Sequence, residues 1–362
     1  MLNVSLVLGI FNGAHGGLWV RERHLWKGLI SQMSKIQNNL ASFKKGDFLG
    51  LYLLKRNWAL FKLVNSAFWR STEKWFMSFV FTFLFVAVFG CINQAILLAD
   101  TPSGNNLVPA LTFKSSLTGL ASLMVISAGL NGMPVSIMEI KESVLMKRIG
   151  STPIKPWMFI LTVSFFYSIV MTAQILITMF TIFLFFGSQD FSFGSETVTG
   201  NQLFFTGFEV KIGEITKSFS TNWGSYIFGL FYTKMLSVFL AVLIVSLTRK
   251  SASASMIGMM VFFWSMFLSG MLFPLSTISR INVLYVLSFF SPFRYVNVLS
   301  SLGWNGGVDV FDLDKISANF NTIESMSGIK DIAEVWTGYF VPLIFIVAAM
   351  ILSVYRFRWS TR

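Results

Sequence analysis

Six apolar runs divide this chain, at about residues 76–98, 117–137, 158–186, 226–247, 256–273 and 336–355. Each is long enough to cross a hydrocarbon layer of about 30 Å as a helix, which takes roughly 20 residues at about 1.5 Å each. Lipid offers no partner to an unpaired backbone N–H or C=O, so such runs cross as helices, which satisfy their own. An ordinary soluble core does not absorb this much apolar sequence. Of 362 residues 54% are hydrophobic, 40 are Phe, and only 12% are charged. The expected fold class is all-α integral membrane, with six transmembrane helices.

The segments between the runs refine this. Residues 1–45 form an N-terminal extension with no assigned role. Its apolar start, Val4–Phe11, is too short to span, a signal peptide fits poorly because the charged n-region is missing, and Met33 offers an alternative start. From Asp47 to Arg70, Leu51, Leu54, Trp58, Phe61, Val64 and Phe68 recur at helical spacing with Lys55, Arg56, Lys62 and Arg70 between them. That pattern suits a basic amphipathic helix on a membrane surface, or an ordinary packed helix. The division is thus 1–45, an amphipathic interfacial helix at 46–74, and a six-span domain at 75–362. Gly119, Gly129, Gly132 and Pro134 in the second run allow close helix contact or a bend. Leu275–Trp304 is apolar but broken by Arg280, Pro292 and Arg294, so it reads as one or two re-entrant or interfacial helices.

Charge gives the topology. Six spans put both termini on one side. That side carries 20 Lys and Arg against five carboxylates, and the other carries seven against eleven; with Lys234 inside the fourth run, these account for the net charge of +12. Basic loops stay in the cytoplasm, so the termini are expected there. The basic excess needs no nucleic acid to explain it.

The basic side holds a charged island, EIKESVLMKRIGSTPIKPW, from Glu139 to Trp157. It opens with Glu139 and Glu142, puts Ile140, Val144 and Leu145 on one helical face, then gives Lys147 and Arg148, and stops at Gly150-Ser151-Thr152-Pro153. Two readings fit: a short helix on the inner membrane face that offers charges to a soluble partner, or a loop made basic only by topology.

Catalytic and energising motifs are missing. The chain has no Gly-Lys pair and hence no phosphate-binding P-loop. It has one Cys and two His, both His near the N-terminus, so no zinc spacing is present and no cofactor is expected. The runs contain no Asp, Glu or His, which argues against a proton- or sodium-coupled carrier. Lys234 is read as the one charge inside a span, about 12 Å from its outer end. It suits snorkelling or polar packing, a cation facing a substrate, or a Ser–Lys dyad with Ser237. Phe262, Phe263, Trp264 and Phe267 either line an apolar path or face lipid or a neighbouring helix. Asp309, Asp312 and Asp314 read as a solvated acidic loop, because a calcium loop needs further ligands and a turn Gly.

Three stretches carry a family resemblance. ESVLMKRIGSTPIKPW (Glu142–Trp157), SGMLFP (Ser269–Pro274) and SPFRYVNVLSSLGW (Ser291–Trp304), in that order among six spans, resemble the permease subunits of type-two ABC exporters over roughly residues 46–360. The resemblance implies a cytoplasmic coupling helix at Glu139–Gly150 seated in a separate ABC ATPase, with Glu139, Glu142, Lys147 and Arg148 setting register and Val144, Leu145 and Ile149 supplying buried area. It implies re-entrant extracellular helices and a second permease half, identical or homologous, around a central path. Lys234, Phe263 and Phe267 are candidates for that path. The Gly187–Gly224 loop is longer than the family connection. The expected function is an exporter permease in the cytoplasmic membrane, in contact with membrane lipid, moving an amphipathic or hydrophobic substrate and catalysing nothing itself. The rivals are a membrane enzyme acting on lipid, for which the spans offer only Lys234, and a secondary carrier.

Overall fold

The computed structural model describes residues 49–99, 107–142, 156–193, 196–212, 215–219, 221–306 and 332–356. The chain divides into two compact units, Met1–Lys62 and Leu63–Arg362. Helix α1, Leu49–Arg70, begins in the first, where Trp58 stacks on Phe61 at 5.4 Å and Lys62 lies over the Trp58 ring. It ends in the second, where the buried Phe68 meets Phe79, Phe166 and Tyr167.

The second unit is an all-α membrane bundle. The first span comprises α2 (Thr72–Trp75), a π turn (Phe76–Val80) and α3 (Phe81–Ala99). The second comprises α4 (Leu107–Ser127), a π turn (Ala128–Gly132) and α5 (Met133–Glu142). The third, fourth and fifth are α6 (Pro156–Phe186), α7 (Trp223–Leu247) and α8 (Ser251–Leu268). Short helices α9 (Leu275–Ile278) and α10 (Asn282–Ser288) lead into α11 (Pro292–Gly306), and α12 (Ile332–Arg356) is the sixth span. Among the described residues six helices are long and apolar enough to cross a membrane, and α10 and α11 meet at a bend of 98°.

The second span is the central column. Its most apolar window is 78% buried, against 22–44% for the other five. Composition explains this: small and hydroxyl residues let neighbours approach, and their hydroxyls bond back to the helix. Ser116 donates to the Phe113 carbonyl at 2.8 Å and Thr118 to that of Lys114 at 3.3 Å. A Cβ on Gly119 would stand 2.5 Å from the Met271 carbonyl oxygen, and one on Gly129 would stand 2.6 Å from Ser237 Cβ. Pro134 cannot donate to the carbonyl four residues back, that of Leu130, and the ladder passes this point as a π turn. Gly258 of α8 packs against the same Leu130 carbonyl, where a Cβ would lie 2.2 Å away.

The π turn of the first span is tied to the third. Gln174 Nε2 donates to the Ser78 carbonyl at 3.0 Å, and Thr82 Oγ1 donates to the same oxygen at 2.7 Å.

The expected run boundaries hold to within a few residues, with one correction. The second span starts at about Pro109, not Leu117, and this brings Lys114 inside a helix where it is fully buried. Lys234 is therefore not the one charge within the spans. Lys114 counts among the loop residues on sequence alone, because an apolar run is bounded where a charge appears.

The long polar loop is ordered locally. Strands β1 (Asp190–Phe193) and β2 (Glu196–Thr199) form one antiparallel hairpin, and β3 (Phe208–Ile212) and β4 (Ile215–Phe219) a second, with a π turn at Gln202–Thr206 between them.

Candidate functional site

The island's first residues do not begin a separate helix. Glu139 and Glu142 occupy the last turn of α5, continuous with the second span. Val144, Leu145, Lys147, Arg148 and Ile149 lie outside the described residues, as do residues 1–48 and the acidic segment with Asp309, Asp312 and Asp314.

Both carboxylates have partners within the chain. Glu139 Oε2 pairs with Lys74 Nζ of α2, with the Glu139 side chain 49% and that of Lys74 18% exposed. Beside them is a cavity of about 20 Å³ lined by Phe68, Ser136, Ile140 and Tyr167 among others, room for about one water. Ser136 and Tyr167 share a hydrogen bond of 2.6 Å, and the Tyr167 hydroxyl donates to the Gly132 carbonyl at 3.1 Å. Glu142 Oε1 accepts from the backbone N–H of Ser251 at 2.6 Å. Ser251 opens α8, whose N-cap residue, Lys250, gives no side-chain cap. A helix N-terminus leaves orphan N–H groups and a partial positive charge. Glu142 supplies the missing acceptor from 109 residues away, a contribution of about 0.5–2 kcal/mol for a cap.

Lys234 lies 11 residues into α7, about 16 Å from its Trp223 end. Half-buried, it does not reach back to the helix end. Its Nζ donates to Thr172 Oγ1 of α6 at 3.0 Å and stands 5.9 Å from the Phe231 ring. Ser237 is fully buried and donates to the Thr233 carbonyl at 2.8 Å. The lysine's described partner is therefore a threonine of the third span, not the serine a dyad needs. Phe263 and Phe267 are on α8, each 49% exposed, with Met260 and Trp264 also exposed. The described contacts of Lys234 run to Thr172 of α6 and to Phe231 of its own helix, and neither is one of the other two path candidates.

The opposite face holds polar groups that the sequence alone did not single out. Arg294 Nη2 donates to Glu334 Oε2 at 2.7 Å, with side-chain exposures of 2% and 9%. The Tyr285 hydroxyl bonds the other oxygen of Glu334, and the Arg294 guanidinium stacks 3.7 Å from the Phe289 centroid. One carboxylate thus joins α10, α11 and the sixth span. Toward the other end of α11, Lys114 Nζ donates to Thr221 Oγ1 at 3.2 Å and faces the Trp304 ring. Trp304 is buried against Tyr226 at 4.5 Å and Trp223 at 5.5 Å. No short-range spacing announces these pairs. The available signal was that Arg294 falls inside an apolar stretch, where a cation needs a partner.

A model of the ABC-2 family transporter protein matches residues 101–355, which include every span but the first. No curated protein matches the chain.

Proposed function

The chain belongs to the ABC-2 transporter family and is a multi-pass membrane permease; from that premise we propose that it serves an ATP-binding-cassette exporter as the membrane subunit, with ATP hydrolysed by separate ATPase subunits. The carrying observation is the charged island at the end of the most buried helix. Residues 143–150 are joined to the central column by continuous backbone, so a displacement of that segment is passed to its island-side end.

In this reading Lys147 and Arg148 set register on the ATPase, and Val144, Leu145 and Ile149 supply buried area. Helix α1 lies on the cytoplasmic membrane surface as the interfacial helix of residues 46–74, ahead of the permease domain at 75–362, and both termini are cytoplasmic. A second permease half, identical or homologous, completes the path, with lipid around the pair. Exposed Phe263 and Phe267 on α8 and half-buried Lys234 support a path suited to an amphipathic or hydrophobic substrate. The protein itself catalyses nothing.

The test is to purify the chain from its own cells in mild detergent. A stoichiometric P-loop ATPase should accompany it, and Arg148→Glu should weaken that association by tenfold or more if the contact is desolvated, about 1–3 kcal/mol. A chain that comes down alone in several detergents, without ATPase activity, would refute the proposal.

A further inference from the structure

Glu139 and Glu142 open the island, yet each is already held within the chain. Glu139 ties α5 to α2 through Lys74. Glu142 ties α5 to the first residue of α8 through the Ser251 N–H. Three spans are thereby joined at one end by two carboxylates on a single helical turn of the second.

Two of these ends, those of the first and second spans, are set off from the rest of their helices. The π turn Phe76–Val80 follows α2, and the π turn Ala128–Gly132 precedes α5. A π turn interrupts the regular ladder of a helix and marks a place where it can bend. Helix α8 runs beside the second of these turns, with Gly258 against the Leu130 carbonyl.

We infer that Glu139 and Glu142 are mechanical ties, positioning residues that make the island-side ends of the first, second and fifth spans one block, which bends against the remainder at the two π turns. This rests on the reading of residues 143–150 as the ATPase contact. A push on those residues reaches α5 through the backbone. Without the ties α5 alone would swing. With them the displacement passes to α2 and to α8. Direct docking of either carboxylate on the ATPase requires first breaking a contact already made, and for Glu142 it strips α8 of an acceptor that Lys250 does not replace.

The experiment uses the full chain with its bound ATPase. Cys91, the one native cysteine, is changed to Ser, and spin labels are placed at Glu73→Cys and Lys250→Cys, both exposed positions. The label distance should be narrow and equal in the nucleotide-free and ATP-trapped complexes. Glu142→Ala should broaden it while the ATPase stays bound in unchanged ratio, and Glu142→Gln, which keeps an acceptor oxygen, should restore a narrow distribution. A distance that shifts between the two nucleotide states in the parent chain overturns the single block. Loss of the ATPase from Glu142→Ala makes Glu142 a docking group and overturns the tie, as does an unchanged distribution in that variant. A parent chain that carries no ATPase refutes the proposed function itself.

Discussion

Arg294 and Glu334, 40 residues apart in sequence, stand 2.7 Å apart in a nearly solvent-free setting and join the bent helix pair to the sixth span. A buried pair of this kind gains from its partner what it lost in water, so removing one member strands the other. Arg294→Ala or Glu334→Ala should lower stability by about 3–5 kcal/mol, read as a lower melting temperature in detergent. Arg294→Met with Glu334→Leu should recover most of the loss. A double variant no more stable than either single one would show that Tyr285 and Phe289, and not the ion pair, hold this joint.

Lys114 presents the opposite case. Its described partners are a hydroxyl and the face of an indole, and neither returns the hydration of an ammonium group. Lys114→Met keeps the aliphatic stem against Trp304 and removes the charge. Thermal stability should stay level or rise. A fall of more than about 1.5 kcal/mol would mean that the bond to Thr221 outweighs the desolvation.

Close approach at Gly258 leaves no space for a side chain, since a Cβ would lie 2.2 Å from backbone oxygen. Gly258→Ala must push α8 off the second span. Overpacking costs about 1–3 kcal/mol, and the expected loss of melting temperature should be accompanied by a longer measured separation between these helices. The same variant with unaltered stability and spacing would contradict the contact.

For Lys234, the informative change is Lys234→Gln, which keeps a donor for Thr172 and discards the charge. If Lys234 contacts an anionic part of the substrate, efflux of anionic amphiphiles from cells should drop about tenfold, the loss of roughly 1.4 kcal/mol, with no change in melting temperature. Equal efflux of anionic and neutral compounds by parent and variant would leave the lysine as polar packing between α6 and α7.

A small tag following Arg362 should be reached by an impermeant reagent only after the cell membrane is opened. Labelling of intact cells would reverse the topology.

Much of the bundle was legible because lipid makes a simple demand on sequence. The apolar runs located the spans. The stretch SGMLFP also has a physical basis. Gly270 takes a positive φ of 80°, a left-handed conformation suited to glycine, and Asn297 Nδ2 bonds the carbonyls of Ser269 and Gly270 at 3.1 and 3.0 Å. Other features were not legible for reasons just as physical. The Glu142–Ser251 and Arg294–Glu334 contacts depend on how helices pack, and spacing along one helix says nothing about a partner on another. The hairpins at 190–219 are short strands in a polar loop, below the length at which alternation stands out. Charged residues in the island marked a special place, but its two carboxylates, Glu139 and Glu142, face other spans of this chain.

The second span runs 34 residues, from Pro109 to Glu142, about 50 Å of helix against about 30 Å of hydrocarbon. Such a length overhangs the hydrocarbon at one end or both, and the half-exposed Glu139 of the last turn is within reach of dissolved ions, whose screening weakens exposed ion pairs. The Lys74–Glu139 contact is open to that screening, and the sealed Arg294–Glu334 contact is not. Added salt should therefore weaken the Lys74–Glu139 contact more than the Arg294–Glu334 contact, so ionic strength alone can separate the behaviour of the two ion pairs without a single substitution.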